Sequence, residues 1–171
     1  MDERTGSEPA AAKNLTTVER KSDRAIVVTR TINAPPRIVF EAFTKAELFQ
    51  RWWVPKSLGL TLLSCELDVR VGGTYRLVFS HQGSEMAFFG KYLEVTPPSR
   101  LVWSNDEGGE AGAVTTATFE ERAGKTLVVL QDEYPSKEAL DAGAGSMDGM
   151  GETFDQLDEL VAALRTGSGR S

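Results

Sequence analysis

The chain has a single cysteine, Cys65, and a single histidine, His81. One cysteine excludes an intramolecular disulfide, and one histidine beside it leaves no cluster with zinc-ligand spacing. No run of about 18 apolar residues occurs, and the opening MDERTGSEPAAAK lacks the hydrophobic region of a signal peptide. Neither a membrane span nor export is indicated, so the expected location is cytoplasmic. Positive charge is short as well: 19 Lys and Arg stand against 25 Asp and Glu, a net charge of −6, which argues against nucleic acid or an anionic membrane as partner. There is no Ser-His-Asp arrangement and no phosphate-binding glycine loop, so no particular reaction and no cofactor is indicated.

What the chain does have is the composition of an ordinary globular domain, 40% hydrophobic and 26% charged over 171 residues. Residues 1–23 lack a sustained period and read as a mobile tail, residues 24–165 as one domain, and residues 166–171 as a frayed end. RAIVVTRTIN, from Arg24, is rich in β-branched residues and predicts a strand. Ala34-Pro35-Pro36 stops it and opens a short helix to Phe43. Thr44-Lys45-Ala46-Glu47 has capping-box spacing, predicting a second short helix that carries Leu48, Phe49, Trp52 and Trp53. Adjacent tryptophans on a helix cannot both enter one core, which places at least one at its edge.

From Leu60 onward the pattern is repeated strands. Leu63, Cys65, Leu67 and Val69 alternate with polar residues and are expected on the dry face, where Cys65 acts as a small hydrophobe. Gly72-Gly73 turns the chain into a strand from Thr74 to Ser80, and His81 falls in a polar turn. Further strands follow at Met86–Thr96, Arg100–Asn105, Ala113–Glu121 and Lys125–Tyr134, about seven in all. From Gly145 to Leu164 the apolar residues Met147, Met150, Phe154, Leu157, Val161 and Leu164 step by three and four, the stripe of a long amphipathic helix. Its first half is unusual, because Gly143, Gly145, Gly149 and Gly151 lower helix propensity by about 1 kcal/mol each. Close packing or space left for a ligand would account for them.

This order of elements, an α+β chain with two short helices after the first strand and a curved antiparallel meander wrapped around a long C-terminal helix, resembles the helix-grip fold of the START-like (SRPBCC, Bet v 1-like) superfamily. More narrowly, TRTINAPPRIVFEAFTKAELFQRWW, ELDVRVGGTYRLVF and GKYLEVTPPSRLVWS resemble, in order and spacing, the AHSA1-like domains named after the activator of Hsp90 ATPase. The resemblance spans about residues 24–164. It implies a cavity between sheet and helix suited to a hydrophobic small molecule, lined by Trp53, Tyr75, Phe79, Phe88 or Phe89, Tyr92 and Trp103, with Met147, Met150 and Phe154 from the helix. Both alternations of Met86–Thr96 contain aromatics, which leaves the inward face of that strand open.

Three functions follow as expectations. The first is a non-enzymatic domain binding a hydrophobic ligand. The second, from the family name, is a partner that binds an Hsp90-type chaperone and alters its ATPase. The third is a cyclase- or hydrolase-like enzyme, with Glu66, Asp68, Glu94, Asp132, Glu133, Tyr75 and Tyr92 as the groups available for proton transfer. All of those carboxylates have a simpler reading as the wet face of strands.

Overall fold

The computed structural model describes residues 16–106, 112–143 and 149–170. Eight strands form one antiparallel sheet: β1 (Thr17–Arg20), β2 (Ala25–Ile32), β3 (Thr61–Leu67), β4 (Thr74–His81), β5 (Ser84–Thr96), β6 (Arg100–Ser104), β7 (Val114–Arg122) and β8 (Lys125–Glu133). Their order across the sheet is β1-β2-β8-β7-β6-β5-β4-β3. Between β2 and β3 lie α1 (Pro36–Thr44), α2 (Ala46–Phe49) and a 3₁₀ turn at Lys56–Leu58. After β8 come α3 (Lys137–Gly143) and α4 (Met150–Arg170). The α+β layout is the one expected, with one strand more. That strand, β1, lies inside the stretch read as a tail and pairs along β2 from Thr17↔Thr29 to Arg20↔Ile26. At the other end α4 continues through the residues expected to fray.

Helix α4 docks by its predicted stripe: Phe154, Leu157 and Val161 are fully buried, with Leu160 beside them. They meet Val28 and Ile32 of β2, Val39 and Phe43 of α1, and Trp52 in one core. At about 25 cal/mol per Å², burying each large side chain contributes roughly 1.5–3 kcal/mol, so the second half of α4 anchors the domain. An ion cluster fixes its rotation. Arg30, on the otherwise apolar inner face of β2, is 2% exposed and reaches Asp155 Oδ1 at 2.9 Å and Asp158 Oδ2 at 2.6 Å. Asp158 Oδ1 also accepts the Asn33 backbone N–H at 3.0 Å. These two aspartates tie the helix to the sheet.

Two local expectations are corrected. Thr44 makes no capping box: its hydroxyl donates back to Phe40 O at 2.8 Å, and Lys45, without a side-chain bond, occupies the N-cap of α2. Leu63 faces outward and is 51% exposed, because the β3–β4 register slips between Leu62 and Ser64. An extra residue at a bulge reverses the alternation, so Leu62 rather than Leu63 faces inward.

Candidate functional site: a cavity between sheet and helices

The inner face of the sheet is built from transverse rows. One row pairs Tyr92 with Trp103, Trp103 with Thr115, Thr115 with Asp132 and Asp132 with Ile26. The next pairs Leu101 with Ala117, Ala117 with Leu130 and Leu130 with Val28. Over these rows α1, α2 and the following turn form a roof whose lowest groups are Phe43, Phe49, Trp53 and Pro55. The first turn of α4 adds Met150 and Thr153. Between floor and roof lies a cavity of about 830 Å³.

Six of the side chains expected around such a space do line it: Trp53, Tyr75, Phe79, Tyr92, Trp103 and Met150. The adjacent tryptophans divide. Trp52 is fully buried and donates its indole N–H to Ala42 O at 2.9 Å, while Trp53 faces the cavity, edge-on to Trp103 at 6.4 Å. Phe88, not Phe89, belongs to the lining. Cross-strand pairing explains this: Phe88 stands opposite inward-facing Leu77, whereas Phe89 stands opposite Arg76 on the outer face. Phe154 is displaced from the lining as well, because it stacks on Trp52 at 6.3 Å deep in the core. Met147 lies outside the described residues.

One end of the cavity is polar. Tyr75 donates its hydroxyl to Ser104 O at 2.7 Å and lies 3.3 Å from Asn105 Oδ1. Asn105 Nδ2 donates to Ala113 O at 2.8 Å and to Thr115 Oγ1 at 3.2 Å. Thr115 in turn donates to Asp132 Oδ1 at 2.6 Å, the contact its cross-strand position dictates. Burial pushes the Asp132 carboxyl above the usual carboxylate range, and the Thr115 hydrogen bond offsets only part of that. The neighbouring Tyr134 hydroxyl is pushed up to about 12, by burial first and then by Asp132. Tyr92 is likewise raised by burial, so both phenols stay neutral near pH 7.

Sequence reasoning missed Asn105 and Thr115, and Asp132 was one of several strand carboxylates. Of Glu66, Asp68, Glu94, Asp132 and Glu133, only Asp132 lines the cavity. Glu152 is the other lining carboxylate among the described residues, and it is engaged: it accepts Ser57 N–H at 3.0 Å and Ser57 Oγ–H at 2.6 Å. Gln156 completes this clasp by accepting from Lys56 N and donating to Trp52 O and Val54 O, all within 3.0 Å. Cys65 is outside the lining, and burial followed by Glu66 pushes its thiol up to about 11, which leaves it protonated and a poor nucleophile. His81 is the last residue of β4, beside the Gln82-Gly83 turn. Among the described residues no group of three or more His, Cys, Asp and Glu is placed to hold a metal ion, and no helix is long and apolar enough to cross a membrane.

The model of the family described as activator of Hsp90 ATPase homolog 1-like protein matches residues 33–162. The chain belongs to this AHSA1-like family. No curated protein matches it. Among solved structures, a Chromobacterium violaceum protein is 30% identical, with 82% of this chain and 98% of that one covered and a TM-score of 0.67. A Rhodobacter sphaeroides protein shares the fold at 24% identity and TM-score 0.78, covering 87% and 99% of the two chains. An AHSA1-like protein from Aeromonas hydrophila does so at 20% identity and TM-score 0.63, covering 81% and 93%. The matched region spans the helical roof and strands β3 to β8, and begins just after β2.

Proposed function

We propose that this AHSA1-like domain binds a hydrophobic small molecule between its sheet and the first turn of α4. The observation that carries the reading is the cavity itself: about 830 Å³ of space walled by aromatic and aliphatic side chains, with a few polar groups gathered at one end. Small-molecule sites commonly occupy about 300–1,000 Å³ and have this division between apolar walls and sparse polar anchors. Native mass spectrometry of gently purified protein tests it directly. A co-purifying mass that is lost on denaturation is expected. Absence of such a mass, together with no binding of a hydrophobic fluorescent dye, would overturn the proposal.

The family description supports a second reading, in which the domain docks on an Hsp90-type chaperone. Titrating the chaperone's ATPase with this protein distinguishes them, since stimulation that saturates would favour docking and a flat titration would count against it.

A further inference from the structure

The hydrogen bonds at the polar end restrict what it can accept. Ala113 O can only accept, which fixes the Asn105 amide with Nδ2 toward it, and the second N–H of that amide goes to Thr115 Oγ1. Thr115 therefore accepts from Asn105 and sends its only proton to Asp132. The Tyr75 proton is directed to Ser104 O. Every donor in this chain is committed, and the chain terminates on a carboxylate whose second oxygen remains an acceptor.

Formal charge in the lining has one sign. Asp132 and Glu152 are the charged side chains among the described lining residues, and no Lys, Arg or His joins them. The neutral donors Trp53, Trp103 and Tyr134 carry no charge to offset an anion. An anionic head group placed beside Asp132 would be desolvated against a like charge, whereas a protonated amine there makes a charge-assisted hydrogen bond.

We propose that the cavity selects hydrophobic molecules whose polar end is a hydrogen-bond donor, protonated amines foremost, and discriminates against carboxylates and other anions. This rests on the ligand-binding reading above and specifies its chemical class.

Three probes with the same alkyl chain, dodecylamine, dodecanol and dodecanoate, separate the possibilities. Each is titrated into wild-type protein below its critical micelle concentration, at about pH 8, where carboxylates are ordinarily ionised. Binding is read by calorimetry and by tryptophan fluorescence, for which Trp53 and Trp103 are placed in the lining. The amine is expected to bind at least about tenfold tighter than dodecanoate, with the alcohol between them, one charge-assisted contact corresponding to roughly a factor of ten. In Asp132→Asn the preference for amine over alcohol should collapse to within about threefold. Dodecanoate binding as tightly as the amine overturns the inference, as does an Asp132→Asn protein that keeps the amine preference. The wild-type ranking decides even if that variant does not fold. If none of the three probes nor a hydrophobic dye binds, the cavity-binding reading itself fails and the selectivity falls with it. Binding without rank order overturns the selectivity alone.

Discussion

Gly90, in the middle of β5, offers a sharp test of how the polar end is held. It pairs with Tyr75 across the β4–β5 ladder and is buried. A Cβ added there would sit 2.0 Å from Ser104 O and 2.9 Å from Tyr75 Cε2. Ordinary carbon contacts begin near 3.5 Å, so β5 must part from the Ser104 backbone by more than an ångström, and the tyrosine ring must shift as well. Overpacking of this kind costs about 1–3 kcal/mol, and losing the Tyr75–Ser104 hydrogen bond adds about 1 kcal/mol. Gly90→Ala should therefore lose roughly 2–4 kcal/mol in urea titrations, seen as a lower midpoint at unchanged slope. At about 2–4 °C per kcal/mol for a domain of this size, Tm should fall by roughly 5–15 °C. Tyr75→Phe is the control: it removes the hydroxyl alone and should lose only about 1 kcal/mol. A Gly90→Ala protein within about 0.5 kcal/mol of the parent would refute the close-approach argument. Equal losses in the two variants would show that the hydrogen bond, not the backbone contact, is what matters.

Asp132→Asn keeps an oxygen to accept from Thr115 and removes the desolvated charge. Because the carboxyl is held above its ordinary pKa, its contribution to stability is present at low pH and lost as pH rises through the raised value, so the variant should be the more stable protein at about pH 8 and lose that advantage near pH 3.5. Parallel urea curves at the two pH values check this, and coincident curves at pH 8 contradict it. Leu157→Asp places a charge at a fully buried site of the α4 anchor and should leave no cooperative thermal transition; an unchanged melting curve would refute the anchoring role. Gly149→Leu projects a side chain past Pro55, whose Cγ lies 3.2 Å from the added Cβ, into the lining, and should weaken dye binding at least about tenfold by filling space, or about 1.4 kcal/mol. At Gly151, outside the lining, an added Cβ meets nothing within 4 Å, so dye titration of Gly151→Leu should find its affinity unchanged.

The parts of this architecture that a single chain segment encodes are legible in the sequence alone. The stripe of α4 is one, because Phe154, Leu157 and Val161 need only a helical period to share a face. The alternation of Tyr75, Leu77 and Phe79 is another. What depends on a partner strand was not legible. Phe88 and Phe89 carry equally good claims within β5, and only the pairing with Leu77 and Arg76 separates them. Leu63 was misplaced because a bulge leaves no mark in hydrophobic periodicity. The run from Asn105 through Thr115 to Asp132 draws on the end of β6, on β7 and on β8, and becomes a network only once the register sets Thr115 opposite Asp132. Phe154 shows the limit of the stripe itself: periodicity identifies an inward residue but not whether it meets a core or a void.

The pairing of β2 with β8 joins residues about one hundred positions apart, as in Val28↔Leu130. Contacts this distant in sequence are slow to form because a long loop must close first. During synthesis, β2 emerges well before its partner and waits with one edge unpaired until Lys125–Glu133 has been made. Such an edge is a template for misassociation in the interval. Asp132 rides on the same strand, and Met150 and Thr153 follow it, so the cavity's floor and its helical wall are completed only once these later residues have been made. Occupancy by a ligand would therefore report a domain whose sheet has closed, and a chain truncated before β8 would have neither the site nor that closure.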